Sequence, residues 1–374
     1  MKTHNTLLTT LLLCGVPAVA LANSGTALMW GTALHLVFGN LLLGVLEGRL
    51  LAWFCGMRKW RVVEPMVLMA LANYFSGFVG LLALERIRPF IAMDLHNARF
   101  WVWATVVITY LMTLILEFPF VNFALRGTPN RLRRSIRVSL KVQTISYVLL
   151  FFWYGSASNL TILTDLTFVE PASLSLPKDV AVYYIAAADG DVHRLTLAQG
   201  ESSFVYDLNA SDAADCLWVR PSAADSNRWD LMASTWTGGG FSLCDVNVLV
   251  IERFATTAAP TWQQENHGFS EAESTWTRYG PVSRLGEARE SPWSFWVESW
   301  AGWGMRASQA DTGTEFNIGF EMLLGDWRIR NATHLPGDYV LLQLGRDQIC
   351  VFDPMQKRIA LVARGRGPVA VLED

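Results

Sequence analysis

The sequence predicts an α-helical membrane domain of four transmembrane helices followed by a mainly-β soluble domain. Three observations predict it: four apolar runs of bilayer-spanning length, a later switch to short alternating strands, and a reversal of charge between the two parts. Of 374 residues, 52% are hydrophobic and 17% charged, too apolar a balance for an ordinary soluble chain. Residues 1–164 carry 14 Lys and Arg against 5 Asp and Glu, and residues 165–374 carry 16 against 28, so a part of +9 is joined to one of −12. The acidic part repels phosphates, which argues against nucleic acid as a partner.

The amino terminus reads as a signal peptide over residues 1–22. Lys2 precedes the apolar run Leu7 to Val16, Pro17 breaks it, and Ala20-Leu21-Ala22 offers the small residues of a cleavage site. Leu13 before Cys14 is too large for a lipoprotein signal. The membrane domain then occupies residues 23–164. Its expected spans are Thr26 to Phe54, Pro65 to Leu84, Phe100 to Ala124 and Thr144 to Leu163.

Loop charge sets the orientation. Arg58, Lys59, Arg61, Arg126, Arg131, Arg133, Arg134, Arg137 and Lys141 fall on one side of the membrane, against Arg86, Arg88 and Arg99 on the other. Basic loops stay in the cytoplasm. The carboxy-terminal domain is therefore expected outside the cytoplasm, on a multi-pass protein of the cell (inner) membrane.

Ionisable groups inside a span are costly and need an explanation. Asn40, Gly44, Glu47 and Gly48 share one face of the first span, and Gly44 with Gly48 makes a GxxxG pair for close helix approach. Asn73, Ser76, Gly77 and Gly80 give the second span a matching face, while Thr109, Thr113 and Glu117 recur every four residues in the third. The candidate intramembrane cluster is Asn40, Glu47, Arg49, Asn73 and Glu117, with Arg49 expected to neutralise one of the two carboxylates. Either the cluster holds the helices together or it passes a proton or ion.

A linker is expected over 165–178 and a β-rich domain over 179–374. Expected strands are Val180 to Ile185, Val192 to Leu197, Phe204 to Leu208, Cys216 to Val219, Asn247 to Phe254, Tyr339 to Leu344, Gln348 to Phe352 and Arg358 to Ala363. The stretch Tyr339 to Leu372 runs strand, Gly345-Arg346-Asp347 turn, QICVFD, RIALVAR and GRGPVAVL, and YYIAAADGDVHRLTL at 183–197 repeats the strand–turn–strand layout. These segments resemble blades of a β-propeller, which implies four-stranded blades around a channel. A β-sandwich is the alternative.

Trp293, Trp296, Trp300 and Trp303 are spaced 3, 4 and 3, and Ser291-Pro292 precedes them as a cap and first-turn pair. The spacing predicts a helix with an aromatic stripe, buried on its own sheet, resting on the membrane, or serving as a platform for a sugar or quaternary amine. Cys216 and Cys244 flank one stretch of strands and are placed to form a disulfide, whereas Cys350 sits in an apolar strand as a buried thiol. GxSxG, HExxH, CxxC and P-loop motifs are missing, so no catalytic residue, cofactor or metal site is assigned. The expected function is a membrane-anchored binding or scaffolding protein. Its partners are the lipid bilayer and another membrane or extracytoplasmic protein, with no small-molecule ligand identified. The alternatives are a small transporter or ion pathway using Glu47 and Glu117, and an extracytoplasmic enzyme.

Overall fold

The computed structural model describes residues 26–58, 61–212, 215–235, 246–258, 280–298 and 304–373. The expected signal peptide, Cys244, Trp300 and Trp303 lie outside the described residues. Contacts divide the chain into two compact units, Met1–Asn159 with Met322–Gly325 and Leu160–Glu321 with Asp326–Asp374.

In the first unit, four helices are long and apolar enough to cross a membrane: α1 (Ala27–Phe54), α2 (Val63–Ile87), α3 (Ala98–Ala124) and α4 (Arg131–Ala157). This is the architecture of a membrane protein. Their outward faces carry Trp53, Phe100, Ile115 and Phe152, all strongly exposed, as lipid-facing residues should be. Thr26 caps α1 by accepting the Met29 N–H at 3.1 Å, and α1 passes through a π-helical turn at His35–Gly39. Glu64 in the first turn and Arg86 in the last turn of α2 suit its dipole.

The helices α1 and α2 meet where the GxxxG pair lies. A Cβ on Gly44 would stand 2.3 Å from Ala70 Cα, and one on Gly48 would stand 2.4 Å from Met66 Cα. No side chain fits at either position, so the two backbones are in contact.

The fourth helix departs from expectation at both ends. It starts at Arg131 rather than Thr144, because the basic stretch is amphipathic: Ser135, Val138, Ser139, Val142, Gln143 and Ser146 are buried along one face while Arg133, Arg137 and Lys141 face outward. A hydropathy criterion does not see such a segment. It stops at Ala157 rather than Leu163, and Thr161–Asp165 forms a separate short helix, α5. Arg134 donates to the Cys55 carbonyl at the end of α1 (3.0 Å), and Lys141 lies over the Phe54 ring.

The second unit is mainly β and built on a curled sheet. Its order is Ser283–Arg284, Ile329–His334, Val340–Leu344, Gln348–Asp353, Arg358–Leu372, Val180–Ala186, Val192–Thr196 and Glu201–Tyr206. Each of the eight expected strands is present, seven with ends shifted by at most three residues and the last, expected from Arg358 to Ala363, running on to Leu372. The long Arg358–Leu372 strand joins the two halves: its first part pairs with Gln348–Asp353 and its second with Val180–Ala186. The bend falls at a register shift between Arg366 and Val369, where Gly367 has φ +58° and donates its N–H to Gln343 Oε1 at 2.9 Å. A Cβ on Gly367 would lie 2.6 Å from Leu217 N, so the bend also lets a second layer approach. That layer is the sheet Cys216–Pro221, Trp229–Thr235 and Val246–Ala255.

Both faces of the curled sheet are consequently buried. In the Val180–Ala186 strand, Val180, Val182 and Tyr184 enter one core while Ala181, Tyr183 and Ile185 enter the other with Leu217, Leu231 and Ala233. Residues 165–178, expected as a linker, belong to this domain: Thr167–Phe168 pairs in parallel with Arg358–Ile359, and Leu174 and Leu176 lie in the first core.

Among the described residues the expected Trp helix gives way to a strand. Trp293–Val297 is a strand in a sheet with Gly280–Pro281, Gly304–Gln309, Thr314–Met322 and Gly325–Trp327. Trp293, Phe295 and Val297 alternate inward, so Trp293 is buried and Trp296 half-exposed on the other face. A β-branched and aromatic run with period two outweighs the 3-4-3 spacing of indoles. Ser291, read as a helix cap, instead accepts the Trp293 N–H two residues on, a turn contact.

Candidate functional site

The sequence-selected polar residues of the membrane unit meet at one place. Glu47 on α1 and Glu117 on α3 are both completely buried, at 1% and 0% exposure. Each lies seven residues before the end of its helix (54 − 47 and 124 − 117), so both sit about 10 Å from the same end of the bundle. Asn73 Nδ2 on α2 donates to Glu47 Oε2 at 2.6 Å. One turn on, Ser76 Oγ donates to Glu117 Oε1 at 2.6 Å, and Gln143 Nε2 on α4 donates to Glu117 Oε2 at 2.5 Å. Ser146 and Gln143 also face Glu47, and the two carboxyls are near enough for their charges to interact. All four helices contribute.

Arg49 does not join them. It is exposed, and among the described residues it makes no ion pair, because position i+2 from Glu47 projects about 200° around the helix. The expected neutralisation of a carboxylate by Arg49 is thus corrected. Asn40 stays on the Glu47 face but two turns away, where its side chain donates to Leu36 O at 3.3 Å and packs on Gly77.

The sequence reading missed Gln143, Ser146 and Ser139, which lie on α4 at i, i+4 and i+7 positions of one face. Their signal was the polar spacing inside a stretch too basic to count as a span. Gln143 Oε1 and Ser139 Oγ are buried with no hydrogen-bond partner among the described residues. Carboxyl, amide and hydroxyl oxygens with spare lone pairs are the ligand set of a proton or a hard cation rather than of a soft metal. Among the described residues no group of three His, Cys, Asp or Glu could hold a metal ion.

Elsewhere among the described residues, the titratable side chains and thiols gather into no metal-holding group. Asp94 and His96 belong to the turn before α3, where Asp94 Oδ1 accepts the N–H groups of His96 and Asn97 at 3.0 Å each. Cys350 is fully buried, and burial pushes its thiol up, away from the reactive thiolate. Cys216 is buried at the start of its strand, while its expected disulfide partner Cys244 lies outside the described residues. Known protein families, curated proteins and solved structures yield no match for the chain.

Proposed function

We propose that this chain is an ion-handling protein of the cell (inner) membrane, which takes a monovalent cation, a proton or a sodium ion, onto Glu47 and Glu117. One observation carries the reading: two buried carboxyls from different helices, held by amides and hydroxyls, have no cationic side chain beside them among the described residues. Two like charges in a low-dielectric site repel strongly, and a mobile cation removes that cost. The anchored binding or scaffolding platform ranks below this reading because Arg49, which a purely structural cluster needed, lies at the surface.

The β-rich domain is placed outside the cytoplasm in this proposal, on the strength of nine basic loop residues against three. A propeller-like closure is the finer reading of its curled sheet, supported by the meander Val340–Leu344, Gln348–Asp353 and Arg358–Leu372. A phosphatase fusion after Glu373 should be active and one at Arg137 inactive; the reverse pattern would overturn the orientation.

Purified protein in liposomes tests the ion reading. The parent should dissipate an imposed proton or sodium gradient faster than empty liposomes, and Glu117→Gln should return the rate to that of empty liposomes. A parent no faster than empty liposomes, or a Glu117→Gln variant as fast as the parent, contradicts it.

A further inference from the structure

Toward the opposite end of the bundle from Glu47, α1 carries a half-buried titratable group, His35, that the acid pair does not use. His35 Nδ1 lies 2.6 Å from the Tyr154 hydroxyl of α4, and the buried His35 Nε2 atom has no hydrogen-bond partner among the described residues. The local backbone is adapted to this ring. His35–Gly39 is the π-helical turn of α1, and a Cβ on Gly39 would stand 2.8 Å from His35 Cδ2. π-Turns inside α-helices recur at functional sites, and a buried polar atom without a partner calls for an explanation. Tyr154 is the titratable group that contacts the ring, and the neighbouring Trp153 Nε1 donates to Gly31 O at 3.3 Å, tying α4 to α1 here.

Between this pair and the carboxyls lie two hydroxyls in contact with each other, Thr113 and Tyr147. Thr113 is one turn from Glu117 on α3, and its Oγ1 lies 2.9 Å from Tyr147 OH on α4. Tyr147 and Tyr154 share a face of α4, seven residues and therefore about 10.5 Å of helix apart, a gap that a short chain of waters would have to bridge. We propose that His35 and Tyr154 form the outer port of a proton path that ends on Glu47 and Glu117.

This rests on the ion reading above and names its ion as the proton. A proton binds one ring nitrogen of His35 as the other nitrogen releases its own to the Tyr154 oxygen. The Tyr154 hydroxyl proton passes through bridging water to Tyr147 and Thr113, and a proton from those hydroxyls reaches a Glu117 carboxylate oxygen. Rotation of the hydroxyls and the ring resets the path. One proton enters, one arrives, and no electron is transferred.

Infrared spectroscopy of the full chain in lipid tests it without requiring net transport. A protonated carboxyl gives a C=O band that shifts when its hydrogen is replaced by deuterium, and Glu117→Gln assigns the band. After a switch to heavy water, exchange at this band should be slowed on the order of a hundredfold in both His35→Phe and Tyr154→Phe, the contribution expected of positioned proton carriers. Thr144→Val, which removes an exposed hydroxyl beside Tyr110, should exchange like the parent. The band itself reports that each variant retains a folded acid pair. Exchange at the parent rate in both port variants overturns the path while leaving the acid pair as an ion site. A parent without an exchangeable carboxyl band also overturns the path, and sodium flux in liposomes would then show the acid pair to be a sodium site.

Discussion

The two units treat buried charge in opposite ways. In the β unit, Asp215, Asp230 and Asp353 are 2%, 2% and 5% exposed, and each lies within 3.5 Å of an arginine: Arg366, Arg220 and Arg358. In the membrane unit, Glu47 and Glu117 are at least as buried and have amides and hydroxyls in place of guanidinium, although α1 and α4 carry arginines on their surfaces. Desolvation makes an unpaired buried charge expensive in either setting. A fixed arginine meets that cost permanently; in the proposed reading an exchangeable cation meets it at the carboxyl pair.

Backbone contact between α1 and α2 positions Glu47 against Asn73, so breaking it has the largest expected effect. Leucines at Gly44 and Gly48 would overlap the Ala70 and Met66 backbone, and the double variant should lose more than about 4 kcal/mol of membrane-unit stability. Thermal unfolding in detergent checks this, and a double variant that melts with the parent would separate the acid pair from the packing claimed to build it.

Next in size is removal of one partner in the β unit. Asp215→Ala strands the largely buried Arg366 and should cost about 3–5 kcal/mol. Glu117→Gln is the matching change in the membrane unit, where no fixed cation is stranded, and its cost should stay within about 1 kcal/mol. Chemical unfolding of both variants compares them directly; equal losses would erase the distinction between the units.

A titration in the β unit is smaller again. His334 is 0% exposed, and burial pulls its value from 6.5 down to about 4, with Asp338 opposing the effect and nearby Arg284 adding to it. The unfolded chain takes up the proton first, so this stability is complete above about pH 6.5 and is lost as pH falls toward 4, by about 3 kcal/mol at most. Melting curves at several pH values should show the loss in the parent and a smaller one in His334→Gln.

Much of this was legible in the sequence because its elements are cleanly punctuated. The apolar runs mark α1 to α3, the small faces of α1 and α2 mark their contact, and short runs between turn residues mark eight strands, three of them buried at every position. The start of α4 was hidden because arginines on its outer face mask the buried line Ser135, Ser139, Gln143 and Ser146. Trp293 and Trp296 misled because a spacing of three also puts residues on opposite faces of a strand. The acid pair itself was visible as Glu47, Asn73 and Glu117. Its missing counter-charge was not, since a sequence shows Arg49 two positions from Glu47 but only the helix turns it away.

Cation-linked stability tests the central claim most directly. The parent and the Glu47→Gln/Glu117→Gln double variant would be melted across sodium concentrations at fixed pH, and across pH at fixed salt. A ligand that binds the folded state alone adds about 1.4 kcal/mol for each tenfold rise above its dissociation constant. The difference between parent and double variant should therefore grow with sodium or with acidity, His334 cancelling because it is common to both. A difference that stays flat along both axes would mean that the buried carboxyls hold no exchangeable cation, and the account would be wrong.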